Sequence, residues 1–88
     1  MASKNFEKQL QKAKSVPIIS LYKGQLKHSG RAKIGVCPFH DDKAPSLALY
    51  EDTNSFFCFA QGVGGDVITY YMLLNKVDFK EAVKELGK

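Results

Sequence analysis

Two short stretches hold the side chains with the greatest chemical reach. One is Cys37-Pro38-Phe39-His40, the other Cys58-Phe59-Ala60-Gln61-Gly62, with residues 41–57 between them. A thiol and an imidazole three positions apart offer two donors from one tight turn. A tetrahedral zinc ion takes such donors, and a second turn across a hairpin can supply the rest. Pro38 stiffens the first turn, while Gly62 lets the second reverse sharply. Cys37, His40 and Cys58 supply three of the four donors expected. The fourth position is Gln61, whose neutral amide is a poorer zinc ligand than a thiolate and lacks its balancing charge. Three arrangements fit these residues. Zinc sits on Cys37, His40 and Cys58 with Gln61 or water in fourth place; another group such as His28 swings in as fourth ligand; or the metal is lost and the core alone holds the fold. Three protein ligands and an open position are also the ligand count of a catalytic zinc. Apart from Asp41 and Asp42, read as capping or solvating the turn, the sequence places no general base beside these residues. A structural ion is therefore expected.

The elements that must position these turns are short. Ser3 is the expected N-cap of a first helix whose apolar stripe is Phe6, Leu10 and Ala13. Pro17 ends that helix, because the residue before a proline is pushed out of helical geometry. Ser15 is placed to cap a brief second helix over Pro17, Ile18, Ile19, Leu21 and Tyr22, with the proline in its first turn. Glycines at 24, 30 and 35 then break the pattern. Three alternating runs follow, over 33–37 (Ile34 and Val36 on one face), 46–50 (Leu47 and Leu49) and 55–59. They predict a small antiparallel meander. In the third run Phe57 and Phe59 share one face, and Phe56 and Cys58 share the other. Gly64-Gly65 is read as a turn and Asp66 as the cap of an apolar helix over 67–74. Asp78 and Glu81 have capping-box spacing, and Phe79, Ala82, Val83 and Leu86 repeat at helical period until Gly87.

Eighty-eight residues make one domain, small enough for a metal or disulfide staple to add to its stability. No apolar run approaches a membrane span, and the lysine-rich start has no hydrophobic stretch behind it of the signal-peptide kind. With no export signal in view, two cysteines read as thiols or metal ligands, and a cytoplasmic location is expected. The net charge of +4 is unevenly spread. Residues 1–33 carry eight basic groups against the single acid Glu7, a local charge of +7, which leaves −3 on the remainder. That asymmetry suits a polyanionic partner and equally a lysine-coated, solvated helix. Lys27, Arg31 and Lys33 fall at i, i+4 and i+6, and on an extended segment they would line one face for phosphates. Phe56, if exposed beside those cations, would be a stacking platform for unpaired bases; its other reading is a shield over the metal site. No acidic metal-binding core for phosphoryl transfer and no glycine-rich phosphate loop are present, so the chain is expected to be non-catalytic by itself.

The order of motifs resembles the zinc-binding domain of bacterial DNA primases, the CHC2 zinc finger. The match runs from about Val16 through Cys37-Pro38-Phe39-His40, Asp41-Asp42-Lys43-Ala44-Pro45-Ser46, Phe57-Cys58-Phe59 and Gly64-Gly65-Asp66-Val67-Ile68 to Val77-Asp78-Phe79-Lys80-Glu81-Ala82-Val83. The family pattern ends its second turn in CxxC, so Gln61 is a departure. The resemblance implies an α+β fold, a small zinc-ribbon-like antiparallel sheet flanked by N- and C-terminal helices. It makes 1–88 one domain, with a helix over 1–15 and a primase-like core over 16–88. It implies Zn2+ as cofactor and single-stranded template DNA as partner, in support of primer initiation. A primase catalytic core or replication helicase would be a further partner, and no membrane is involved. By position it points to Arg31, Lys43 and Pro45 as DNA contacts, and less directly to Lys27 and Lys33. The competing expectation, suggested by Gln61, is a degenerate finger that has dropped zinc and DNA and docks on a protein.

Overall fold

The computed structural model describes residues 2–39 and 45–88, with side chains from residue 6 onward. Helix α1 (Ala2–Ser15) leads into a single 3-10 turn (Ile18–Leu21). Five strands follow, β1 (Lys27–Ser29), β2 (Ala32–Val36), β3 (Pro45–Tyr50), β4 (Ser55–Cys58) and β5 (Val63–Asp66). Helices α2 (Val67–Asn75) and α3 (Phe79–Leu86) complete the chain. The strands form one antiparallel meander in sequence order. This is the α+β arrangement expected, with two more strands than the alternation marked.

Both added strands lack an alternating apolar pattern for local reasons. β1 is only three residues, all exposed, so it carries no apolar signal. β5 contains Gly64 and Gly65, read above as a turn. They are strand residues because the backbone there has close neighbours. A Cβ at Gly64 would lie 2.7 Å from the Phe56 carbonyl oxygen, and one at Gly65 would lie 2.8 Å from Thr69.

Helix starts follow side-chain chemistry at two of three places. Asp66 accepts from the Thr69 N–H at 3.0 Å, and Asp78 from the Glu81 N–H at 2.9 Å, so each satisfies an otherwise orphaned donor. α1 instead begins at Ala2, which puts Ser3 inside the helix and not at its cap. Ser15 does not cap the second helix either. Its hydroxyl donates back to the Lys12 carbonyl at 2.7 Å, and extended Pro17 takes the N-cap position. Gly87 closes α3 at a negative φ, and a Cβ there would meet the Gln9 carbonyl oxygen at 2.6 Å. That glycine is needed for close approach to α1.

Hydrogen-bonded cross-strand partners share a sheet face. Leu47, Leu49, Phe56 and Cys58 therefore point to one side, where they pack with Val67, Ile68, Tyr70 and Val83 of the C-terminal helices in a single core. Ala13 and Ile18 join the same core from the N-terminal segment. Asn54 fastens that segment to the sheet. It sits at φ 52° in the β3–β4 turn, accepts from the Ile18 N–H at 2.7 Å, and donates to the Lys14 and Val16 carbonyls at 3.0 and 2.8 Å.

Candidate metal centre and nucleic-acid interface

Cys37 directly follows β2 and Cys58 ends β4, the strands either side of β3, so the two cysteines lie at the same end of the sheet. Cys37 follows Val36, which pairs with Pro45, and Cys58 pairs with Leu47. A bulge at Gly35/Val36 separates Cys37 from the regular alternation of β2. Val36 is left 41% exposed while Cys37 is buried at 1%. Cys58 is wholly buried, with the Ser46 hydroxyl 3.9 Å from its sulfur. Neither cysteine is in a disulfide. The second turn has the form its residues suggested, since the Gly62 N–H donates to the Cys58 carbonyl at 2.8 Å and Gly62 adopts φ 68°. Gln61 lies in that turn and is exposed, whereas both sulfurs face the core. His40 lies outside the described residues, and among those described no three metal-binding side chains cluster. Two inward sulfurs at the sheet end, one on a glycine-closed turn, fit a zinc site. The exposed amide at position 61 is the part that fits least.

Three rings brace the first turn. Phe39, between Cys37 and His40, packs edge-on against Phe56 and Tyr70 with centroids 5.5 and 5.2 Å away, and Phe56 and Tyr70 are 5.4 Å apart. Burial pushes the Tyr70 hydroxyl far above its ordinary pKa, with smaller contributions from Tyr22 and Cys37. That hydroxyl has no hydrogen-bond partner among the described residues. Phe56 is only 3% exposed, so it is no platform for a base. The parity of β4 is as read from the sequence, and of the two readings of Phe56 the buried one holds. Phe56 and Cys58 face the helices, while Phe57 and Phe59 face outward, 36% and 62% exposed, with ring centroids 5.0 Å apart. Hairpin register carried the missing signal. Counting out from the turn at 51–54 pairs Leu49 with Phe56 and Leu47 with Cys58, so the core leucines take Phe56 with them.

The expected row of cations is also rearranged. Residues 27–33 do not run straight, because Gly30 (φ 59°) and Arg31 turn the chain into a hairpin with His28 opposite Lys33 and Lys27 opposite Ile34. Lys27 therefore joins the open face, in a row with Ile34, Ala48, Phe57 and Gly64, and Lys33 falls on the other face. Arg31 stands at the hairpin tip, its Nε 3.1 Å and Nη2 2.5 Å from one Asp52 oxygen. This bond holds the Asp52 carboxyl below its usual range and raises the guanidinium. Lys33 reaches Glu51 at 2.9 Å. Pro45 is exposed at the start of β3, and Lys43 lies outside the described residues.

The family model of the CHC2 zinc finger matches residues 1–88. The chain belongs to the CHC2 zinc-finger family. This CHC2 domain is 43% identical over 63 residues to a DNA primase of Synechococcus elongatus, covering 72% of the chain and 9% of that primase. It is 40% identical over 72 residues to a DNA primase of Enterococcus faecalis, covering 82% of the chain and 11% of the relative. The chain thus spans about a tenth of these proteins. In three dimensions it is similar to the crystal structure of the zinc-binding and RNA polymerase domains of Aquifex aeolicus primase. There the TM-score is 0.74 at 33% identity, over 89% of this chain and 20% of that one. The fold and sequence of this CHC2 domain are those of a primase-type zinc-binding domain. Among its described residues no helix is long and apolar enough to cross a membrane.

Proposed function

We propose that this CHC2 domain binds single-stranded template DNA on its open sheet face and assists primer initiation in the cytoplasm, without catalysing the reaction itself. The observation that carries this reading is the exposed Phe57–Phe59 pair on the sheet face that also holds Lys27. Exposed rings stack on unpaired bases of any sequence, and cations along the rim take the phosphates. Lys27 serves the open face, Arg31 the hairpin tip and Pro45 the start of β3, with Lys43 just before it in sequence, while Lys33 adds charge from the opposite face. A primase catalytic core or a replication helicase is the protein partner that kinship with whole primases suggests. Zinc, held by Cys37, His40 and Cys58 with water or Gln61 in fourth place, would act structurally by tying the two turns together.

Fluorescence anisotropy with a labelled single strand at rising salt tests the DNA reading. Phe57→Ala and Phe59→Ala are each expected to weaken binding about tenfold, near the low end of a base–aromatic stack. Lys27→Gln should lower the salt slope by about 0.7, the share of one phosphate contact on a single strand. No binding at low salt, or affinities unmoved by all three changes, overturns it.

The exposure of Gln61 favours a second reading, a metal-free finger that docks on protein. Metal analysis of unchelated protein separates the two. One zinc per chain, retained more tightly after Gln61→Cys, supports the first reading. Metal-free folded protein whose stability Gln61→Cys leaves unchanged supports the second.

A further inference from the structure

Beside the first cysteine turn, the β1–β2 hairpin and the start of β3 enclose a groove of about 540 Å3. Leu26, Ile34, Val36 and Pro45 supply apolar wall, and Lys27 and His28 stand among the polar lining groups. Sites for small organic groups combine apolar walls with a few converging polar groups in this way, at volumes of about 300–1,000 Å3. A phosphate-only contact needs no such walls. We propose that the groove receives an unpaired nucleobase of the bound strand, with Lys27 on the adjoining phosphate, and so contributes sequence preference.

Three observations favour a base. Lys27 and Ile34 lie in the same cross-strand row as Phe57, so the groove is continuous with the face that carries the aromatic pair. Ile34 and Phe57 are two strands apart, about 9.6 Å at ordinary strand spacing, within the span of one short oligonucleotide. Among the described residues, those lining the groove include a lysine and a histidine and no carboxylate, which complements an anionic strand. An extended peptide is a poorer occupant. It would add to the edge of β1, and that strand offers only three residues of ladder.

The inference rests on the DNA-binding reading, and its test separates the two. Val36 is 41% exposed, so Val36→Gln removes apolar wall without opening the core or changing charge. Its unfolding midpoint, read alongside, checks that the fold is kept. Binding is compared for a labelled strand and the same strand made wholly abasic. The expected result is about a fivefold loss on the normal strand and none on the abasic one, the low end of a base contact. A second readout, independent of any variant, is the amide NMR shifts of Ile34 and Val36 on adding a short thymidine oligonucleotide; these should move with the normal strand and stay with the abasic one. Equal loss on both strands, or no loss on either while Phe57→Ala still weakens binding, overturns the groove and leaves the open face standing. A fall in self-association with unchanged DNA affinity assigns the groove to a second copy of this chain, and likewise overturns it. If unmodified protein binds neither strand, both readings fall together.

Discussion

The two faces of the sheet differ most sharply at adjacent residues of β4. Phe56 turns toward the helices and meets Phe39 and Tyr70, whereas Phe57 turns outward and meets Phe59. The residue type is the same and the positions differ by one. One ring fixes a turn that carries a cysteine, and the other is left at the surface. A strand of period two makes this possible, and it makes the assignment of sides an all-or-nothing matter.

The contrast can be broken by substitution. Phe56→Ala should cost about 3–5 kcal/mol in urea or thermal unfolding, because it empties a fully packed site and frees Phe39. Asn54→Ala should cost about 2 kcal/mol, since it removes three hydrogen bonds between the β3–β4 turn and the end of α1 with the segment after it. Loss of the N-terminal segment's protection in hydrogen exchange, with the sheet still protected, would confirm that Asn54 is a clasp. The smallest effect belongs to the open face. Phe57→Ala and Phe59→Ala should shift stability by only about 0.5 kcal/mol, as exposed side chains do, while weakening DNA binding. Comparable losses of stability at 56 and 57 would mean that the two faces are not distinct.

A similar lesson comes from the cations. Lys27, Arg31 and Lys33 are close in sequence, yet one faces outward with the aromatic pair, one caps a hairpin against Asp52 and one pairs with Glu51 on the other side. As pH falls through the depressed value of Asp52, the Arg31 contact is lost, and its contribution belongs to the range above the ordinary carboxylate pKa. Both partners are exposed, so the effect on stability is slight. Its larger consequence is electrostatic, because a phosphate would have to compete with that carboxylate for the guanidinium.

Much of this was legible in the residues alone. The glycine that closes the second turn, the caps at 66 and 78 and the alternation of β3 and β4 are local matters. Each follows from a side chain acting within a few residues of itself, so spacing reveals it. What lies between strands was decided by tertiary structure. Which side of β4 faces the helices depends on register with Leu47 and Leu49. That 27–33 folds into a hairpin depends on β2 having a partner in β3. Asn54 gives no sign of its role until residues 14–18 come within hydrogen-bond reach, and Gly64 gives none until the Phe56 carbonyl lies against it. Period and capping are properties of a segment; sidedness, clasp and groove exist only once segments are brought together.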